Sequence, residues 1–141
     1  MPNSRATPFE LHRASSLSRL DLVQILLEFE VDVNASDELG RTALFNAVKA
    51  RDILIVQRLF RKGVNLLAKD RSNGRCALHE AAIAGNVEVV SFLLSRYDDL
   101  SPVDSVGKTP LDYARELHHL HVDIVSAIET RILMRAQNYN M

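Results

Sequence analysis

The residues of this chain with the richest chemistry are its histidines, and three of them crowd one stretch as His118, His119 and His121. Such a group suggests zinc, but adjacent residues of a helix cannot face one ion together, and no Cys or carboxylate stands at companion spacing, so no metal is expected. His79-Glu80 opens like a metalloprotease helix, which needs a second histidine at position 83, where Ile83 stands. Gly107-Lys108-Thr109 imitates the end of a phosphate-cradling loop. That loop also needs a preceding buried strand and a glycine at the position of Pro102, so nucleotide binding is not expected. No Gly-x-Ser-x-Gly nucleophile elbow occurs. The single cysteine, Cys76, excludes an internal disulfide and suits a reducing compartment. No acid, base and nucleophile set converges, so no cofactor is expected and an enzyme is only the rival reading.

The elements that would position any site are set by internal repetition. Leu11, Leu44, Leu78 and Leu111 recur at steps of 33, 34 and 33 residues, and Ala14, Ala47, Ala81 and Ala114 follow three residues after each. Three residues is one helical turn, so each Leu and Ala pair shares a helix face. Leu22-Val23, Ile55-Val56, Val89-Val90 and Ile124-Val125 keep the same clock and mark a second, more apolar helix in every unit. Between units lie polar stretches rich in Gly, Asn, Asp and Ser. The pattern predicts about four helix-turn-helix repeats near residues 7–36, 37–69, 70–103 and 104–135, in one domain of residues 1–135 with a short tail at 136–141. Helices this short are marginal alone, so neighbours must stabilise one another by stacking.

Local signals sharpen the units. Gly85-Asn86 reads as a helix stop after Leu78-His79-Glu80-Ala81-Ala82, Thr109-Pro110 as an N-cap followed by a first-turn proline, and Thr42 as a similar cap. Hydrophobic residues make up 47% of the 141, enough for a continuous core. The net charge of −1 lacks the positive field of a nucleic-acid binder or of a protein drawn to an acidic membrane. The chain has neither a secretory start nor an apolar run near the ~20 residues of a membrane span, so a cytoplasmic or nuclear protein is expected. On that ground the Asn34-Ala35-Ser36 sequon is not read as glycosylated.

The motifs Gly40-Arg41-Thr42-Ala43-Leu44, Leu78-His79-Glu80-Ala81-Ala82 and Gly107-Lys108-Thr109-Pro110-Leu111 resemble the ankyrin-repeat family, whose signature is Thr-Pro-Leu-His-x-Ala. The resemblance covers roughly residues 7 to 135 and implies an all-α solenoid with β-hairpin loops between the repeats. Phe45 and Asp112 depart from the family's His, Cys76 from its Thr, and Ser18 and Arg51 from its Gly; an extra residue falls near Ser72-Asn73, and the turn after Ala114 is two longer. In the family the histidine of the motif bonds the neighbouring loop, which implies structural roles for His12 and His79.

The resemblance further implies protein recognition by a row of loop fingers and a concave groove. Its exposed positions map to Asp37, Glu38, Leu39 and Arg41 on the first finger, Arg71, Ser72 and Arg75 on the second, and Asp104, Ser105, Val106 and Lys108 on the third. Groove positions are Leu17, Lys49, Arg51, Ile83 and Glu116. Leu17, Leu39, Ile83 and Val106 are apolar where polar residues are usual, and Lys49, Arg51, Arg71 and Arg75 form a candidate patch for an acidic segment. Leu26 and the Asp32-Val33-Asn34 run resemble the sequence that asparaginyl hydroxylases accept in ankyrin loops, although asparagine also suits this turn unmodified. The expected role is a monomeric inhibitor or adaptor that binds a protein partner, with a scaffold or assembly subunit as the alternative.

Overall fold

The computed structural model describes residues 8–117 and 122–139, so the His118, His119 and His121 group and the longer turn beside it lie outside the described residues. The described chain forms four helical pairs: α1 (Pro8–Ser16) with α2 (Leu20–Glu28), α3 (Ala43–Lys49) with α4 (Ile53–Arg61), α5 (Ala77–Ala84) with α6 (Val87–Leu94), and α7 (Pro110–Glu116) with α8 (Val122–Tyr139). The first helices pack in the order α1, α3, α5, α7, and the second helices in the order α2, α4, α6, α8. The result is the ladder that the spacing predicts. None of these helices is long and apolar enough to cross a membrane.

One core runs the length of the ladder. Leu11, Leu44 and Leu78 are buried with Ala14, Ala47, Ala81 and Ala114, where a small side chain lets successive first helices approach closely. Val23, Val56, Val90 and Ile124 fill the second layer together with Leu59, Leu93 and Ile128. Each fully buried aliphatic side chain contributes roughly 1.5–3 kcal/mol, enough in sum to hold helices that would melt singly.

Caps decide where each helix begins. Asp52 accepts from the Leu54 and Ile55 amides at 3.1 and 3.2 Å, and Asn86 from the Val89 amide at 3.2 Å. Thr109 and Asp112 bond reciprocally at 3.2 and 2.9 Å, with Pro110 in the first turn. Thr42 differs from its expected role. The amide of Phe45 bonds the Thr42 carbonyl instead, at 3.1 Å, and the Thr42 hydroxyl is buried without a partner. Phe45 offers no polar side chain to reach back, whereas Asp112 and His79 do.

Ser18 and Arg51, which replace the family's glycine, keep its left-handed backbone at φ 55° and 61°, close to the 76° of Gly85. The departure therefore strains those turns without changing their path. At the far end, α8 continues to Tyr139 instead of ending near residue 135. Arg135 donates to the carbonyls of Leu94 and Asp98 at 2.9 and 2.7 Å, satisfying groups left free where α6 ends.

Candidate functional site

The loops between pairs form three fingers. No strand occurs among the described residues; each finger is a turn closed by a backbone bond, Asp37 N–H to Arg41 O (2.9 Å), Asp70 to Arg75 (2.9 Å) and Asp104 to Lys108 (3.0 Å). Inside the turn sits a carboxylate. Asp37 accepts from the Leu39 and Arg41 amides at 2.9 and 3.0 Å, and Asp104 from the Val106 and Lys108 amides at 3.0 and 2.9 Å. The second finger has the extra residue, and there the work is divided: Asp70 takes the Ser72 amide at 2.8 Å and Asn73 the Arg75 amide at 2.9 Å. The insertion is thus absorbed by a side chain without opening the turn.

Successive fingers are stitched together. The Arg71 amide donates to the Leu39 carbonyl at 2.8 Å and the Ser105 amide to the Asn73 carbonyl at 3.0 Å. Gly74 permits the second contact, since a β-carbon there would stand 2.6 Å from the Ser105 hydroxyl. From the helical side, His12 Nε2 donates to the Arg41 carbonyl and His79 Nε2 to the Lys108 carbonyl, both at 2.9 Å, while His79 Nδ1 accepts from the Cys76 amide at 3.2 Å. Asn34 likewise donates to Gly63 O (3.2 Å) and accepts from the Asn65 amide (2.6 Å), joining the first loop to the second. The finger row is one hydrogen-bonded edge.

Several expected contact residues are engaged within the molecule. Arg41 Nε lies 2.9 Å from Asp37, and Lys108 Nζ 2.6 Å from Glu116. Arg75 is half-buried above the Tyr113 ring, 4.7 Å from its centre, donates to the Tyr113 hydroxyl at 3.2 Å and sits 3.8 Å from Asp104. The Tyr113 hydroxyl in turn donates to Asp104. Arg75 therefore does not stand with Lys49, Arg51 and Arg71 as a solvent-facing patch, because its charge is already met by Asp104 and Tyr113. Left facing solvent are Glu38, Leu39, Arg71, Ser72, Ser105 and Val106 on the finger tips, with Leu17, Lys49, Arg51 and Glu116 exposed and Ile83 half-buried among the first-helix positions. Sequence reasoning missed one part of this surface. A depression of about 430 Å³ at the N-terminal end of the groove is lined by Phe9, Arg13, Ser16, Leu17, Ser36 and Asn46, among others.

The anchoring carboxylates carry an electrostatic signature. Burial pushes the Asp104 carboxyl up, but the bonds from Tyr113 and from the Lys108 and Val106 amides outweigh it and hold it below the usual carboxylate range. Asp37 is lowered too, as its bonds from Arg41 and Leu39 overcome the cost of burial, and Asp112 is lowered chiefly by the Thr109 amide. A group depressed in the folded state stabilises it fully above the unfolded value near ~3.9 and loses that contribution as pH falls through the folded value. Thermal melts followed by circular dichroism are therefore expected to drop steeply below about pH 4. Asp104→Asn should flatten that drop; an unchanged slope would remove Asp104 from the account.

Two family models match the chain: ankyrin repeats in many copies over residues 11–59, and ankyrin repeats in three copies over residues 55–131. The chain belongs to the ankyrin-repeat family. It is 35% identical over 106 residues to the tyrosine-protein kinase Shark of Drosophila melanogaster, covering 75% of this chain and 11% of the kinase. It is 36% identical over 92 residues to the putative ankyrin repeat protein FPV014 of fowlpox virus, covering 64% of this chain and 21% of that one. With human neurogenic locus notch homolog protein 1 the identity is 31% over 115 residues, 82% of this chain and 4% of that protein. The chain thus spans a small fraction of the length of these relatives. Ankyrin repeats are in general protein–protein interaction modules and are typically not the catalytic part of such proteins.

Proposed function

We propose that this chain binds a folded protein or an extended peptide along its finger tips and first-helix groove, and acts as an inhibitor or adaptor by occupying that partner's surface. The observation that carries the reading is the stitched finger row. Glu38 and Leu39, Arg71 and Ser72, and Ser105 and Val106 project from turns whose backbones bond one another and whose carboxylates are locked inward. Such an edge loses little freedom when a partner docks, so apolar tips and the Arg71 charge act at full value. Arg71, Lys49 and Arg51 supply positive charge for an acidic segment of the partner, while Leu39, Ile83 and Val106 supply apolar anchors. A scaffold that holds two proteins at once is the second form of the same module. Cytosol or nucleus is the setting we propose for either.

The test is co-purification from cell extract with quantitative mass spectrometry. Wild type is compared with Arg71→Glu combined with Ile83→Glu, and with a control on the opposite helical layer, Arg58→Glu combined with Arg61→Glu. The expected result is partner capture lost about tenfold or more in the first variant and kept in the control, as interface anchors typically cost more than 1 kcal/mol each. Equal capture by wild type and the Arg71 and Ile83 variant would sink the reading, provided both show native helicity. Competition between the chain and the partner's usual ligand marks an inhibitor; simultaneous binding of two proteins marks a scaffold.

A further inference from the structure

The second-helix layer carries a compact positive surface across its middle. Arg58 and Arg61 lie in the last turn of α4, Lys62 closes that helix, and Arg96 follows the end of α6. All four are exposed, and none is ion-paired with another described residue. Residues 1–7, 118–121 and 140–141 contain no Asp or Glu that could pair with them. Two depressions meet at Arg61. One, of about 390 Å³ between α2 and α4, is lined by Leu27, Arg58, Arg61 and Lys62, with Glu28 as the carboxylate among its described lining. The other, of about 220 Å³ between α4 and α6, is lined by Phe60, Phe92, Arg61 and Arg96. Arg96 is held in place there. Its guanidinium lies 4.8 Å from the centre of the Phe92 ring and 5.2 Å from that of Phe60, and the two rings meet edge to face at 5.6 Å. The negative pole of α4 accounts for cations in its own last turn, but not for Arg96, which rests on rings of two helices. At the end of α6 the Leu94 carbonyl is bonded by Arg135 instead.

We infer that this face is a second docking surface, for a short acidic segment of a partner protein laid across α4 from α2 to α6. Charge selects the occupant. Four cations without a carboxylate partner are met by carboxylates from outside, and a guanidinium spread on two rings keeps its donor edge free for a bidentate pair. An apolar side chain between those carboxylates packs against the rim of Phe60 and Phe92, both partly buried. Length follows from the packing. The second helices stand side by side, and packed helices lie about 9 Å apart, so an extended segment of about six residues spans the three. The positive field is narrow, because the exposed Glu28 and Glu88 stand on the flanking helices and the chain as a whole is at −1. A nucleic-acid backbone or an anionic bilayer needs a broader one. This surface takes a different partner from the groove, so the groove's partner is still captured when Arg58 and Arg61 are reversed. With both faces occupied, the module bridges two proteins.

The experiment is fluorescence anisotropy on the 141-residue chain with a fluorescein-labelled peptide of Glu, Asp and Leu, beside a copy carrying Lys at every acidic position. The expected result is saturable binding of the acidic peptide, weakening as salt is raised, and none of the Lys copy. Arg58→Glu combined with Arg61→Glu is expected to weaken that binding about tenfold or more. Arg96→Ala weakens it as well, and Arg96→Lys restores only part of the loss, because an ammonium keeps the charge without the flat fork. Arg71→Glu combined with Ile83→Glu, on the fingers and groove, leaves the peptide's affinity unchanged. All these substitutions fall on side chains outside the core, and circular dichroism checks that each variant keeps native helicity. Failure of the acidic peptide to bind wild type overturns the proposal. So does a loss seen in the Arg71 and Ile83 variant and not in the Arg58 and Arg61 variant, which returns the peptide to the groove. Tighter binding to single-stranded RNA or to phosphatidylserine vesicles, abolished by the same Arg58 and Arg61 reversal, overturns it too.

Discussion

Leu93→Ala is expected to lower the stability of the whole ladder by about 2–5 kcal/mol, the range for removing a fully buried leucine whose surroundings cannot collapse into the space. Leu93 has no exposed surface and sits in α6, which packs against α4, α5 and α8. The loss is therefore felt on both sides of the third pair. Because each pair is too short to stand alone, weakening one interior unit weakens the interfaces that hold its neighbours. Urea unfolding followed by circular dichroism should show a lower midpoint, and amides of α8 should lose protection together with those of α6. Leu67→Ala, at a position 75% exposed, is the control and should stay within ~0.5 kcal/mol of wild type. A Leu93→Ala effect below about 1 kcal/mol, or one confined to α6, would mean that the pairs are not mutually dependent.

The ladder itself was legible in the sequence because periodicity is a direct record of burial. Leu44 and Ala47 repeat at Leu78 and Ala81 for the reason that both are buried between neighbours in the same way. The structural roles of His12 and His79 followed from the family resemblance and are confirmed by their bonds to the carbonyls of Arg41 and Lys108. The anchoring carboxylates were missed, although Asp37, Asp70 and Asp104 keep the same clock at steps of 33 and 34. An aspartate in a polar loop reads as an exposed charge. Only the fold shows that the turn wraps around it and that Arg75 is spent on Asp104 and Tyr113. Thr42 was misread too: it stands at the start of α3, but its hydroxyl accepts no bond from the Phe45 amide, which turns to the Thr42 carbonyl instead. The run of α8 beyond residue 135 carries no repeat signal, and its anchor, Arg135 on the Leu94 carbonyl at the end of α6, is a contact made across 41 residues.

Asp104→Ala is expected to be the most damaging substitution on the fingers, costing about 3 kcal/mol, because it strips the partner from several buried groups at once. The Val106 and Lys108 amides lose their acceptor, the Tyr113 hydroxyl loses its own, and the half-buried Arg75 guanidinium keeps Tyr113 but is left with Glu80, at 3.9 Å, as its carboxylate partner. Asp104→Asn keeps an oxygen for the two amides and gives up the charge, so it should fall between wild type and alanine. Asp37→Ala should cost less, about 1 kcal/mol, since that carboxylate is half-exposed and water can replace the missing acceptor. Thermal unfolding orders the three variants, and hydrogen exchange at Val106 and Lys108 reports whether the third finger opens. A double-mutant cycle with Arg75→Met isolates the charge pair from the turn: coupling near zero would assign the whole loss to the amides. If the finger opens below the global transition, the fold survives while the edge loses its preorganisation, and partner affinity should fall by more than stability alone dictates. Equal affinity in a protein with an open third finger would place recognition elsewhere on the ladder.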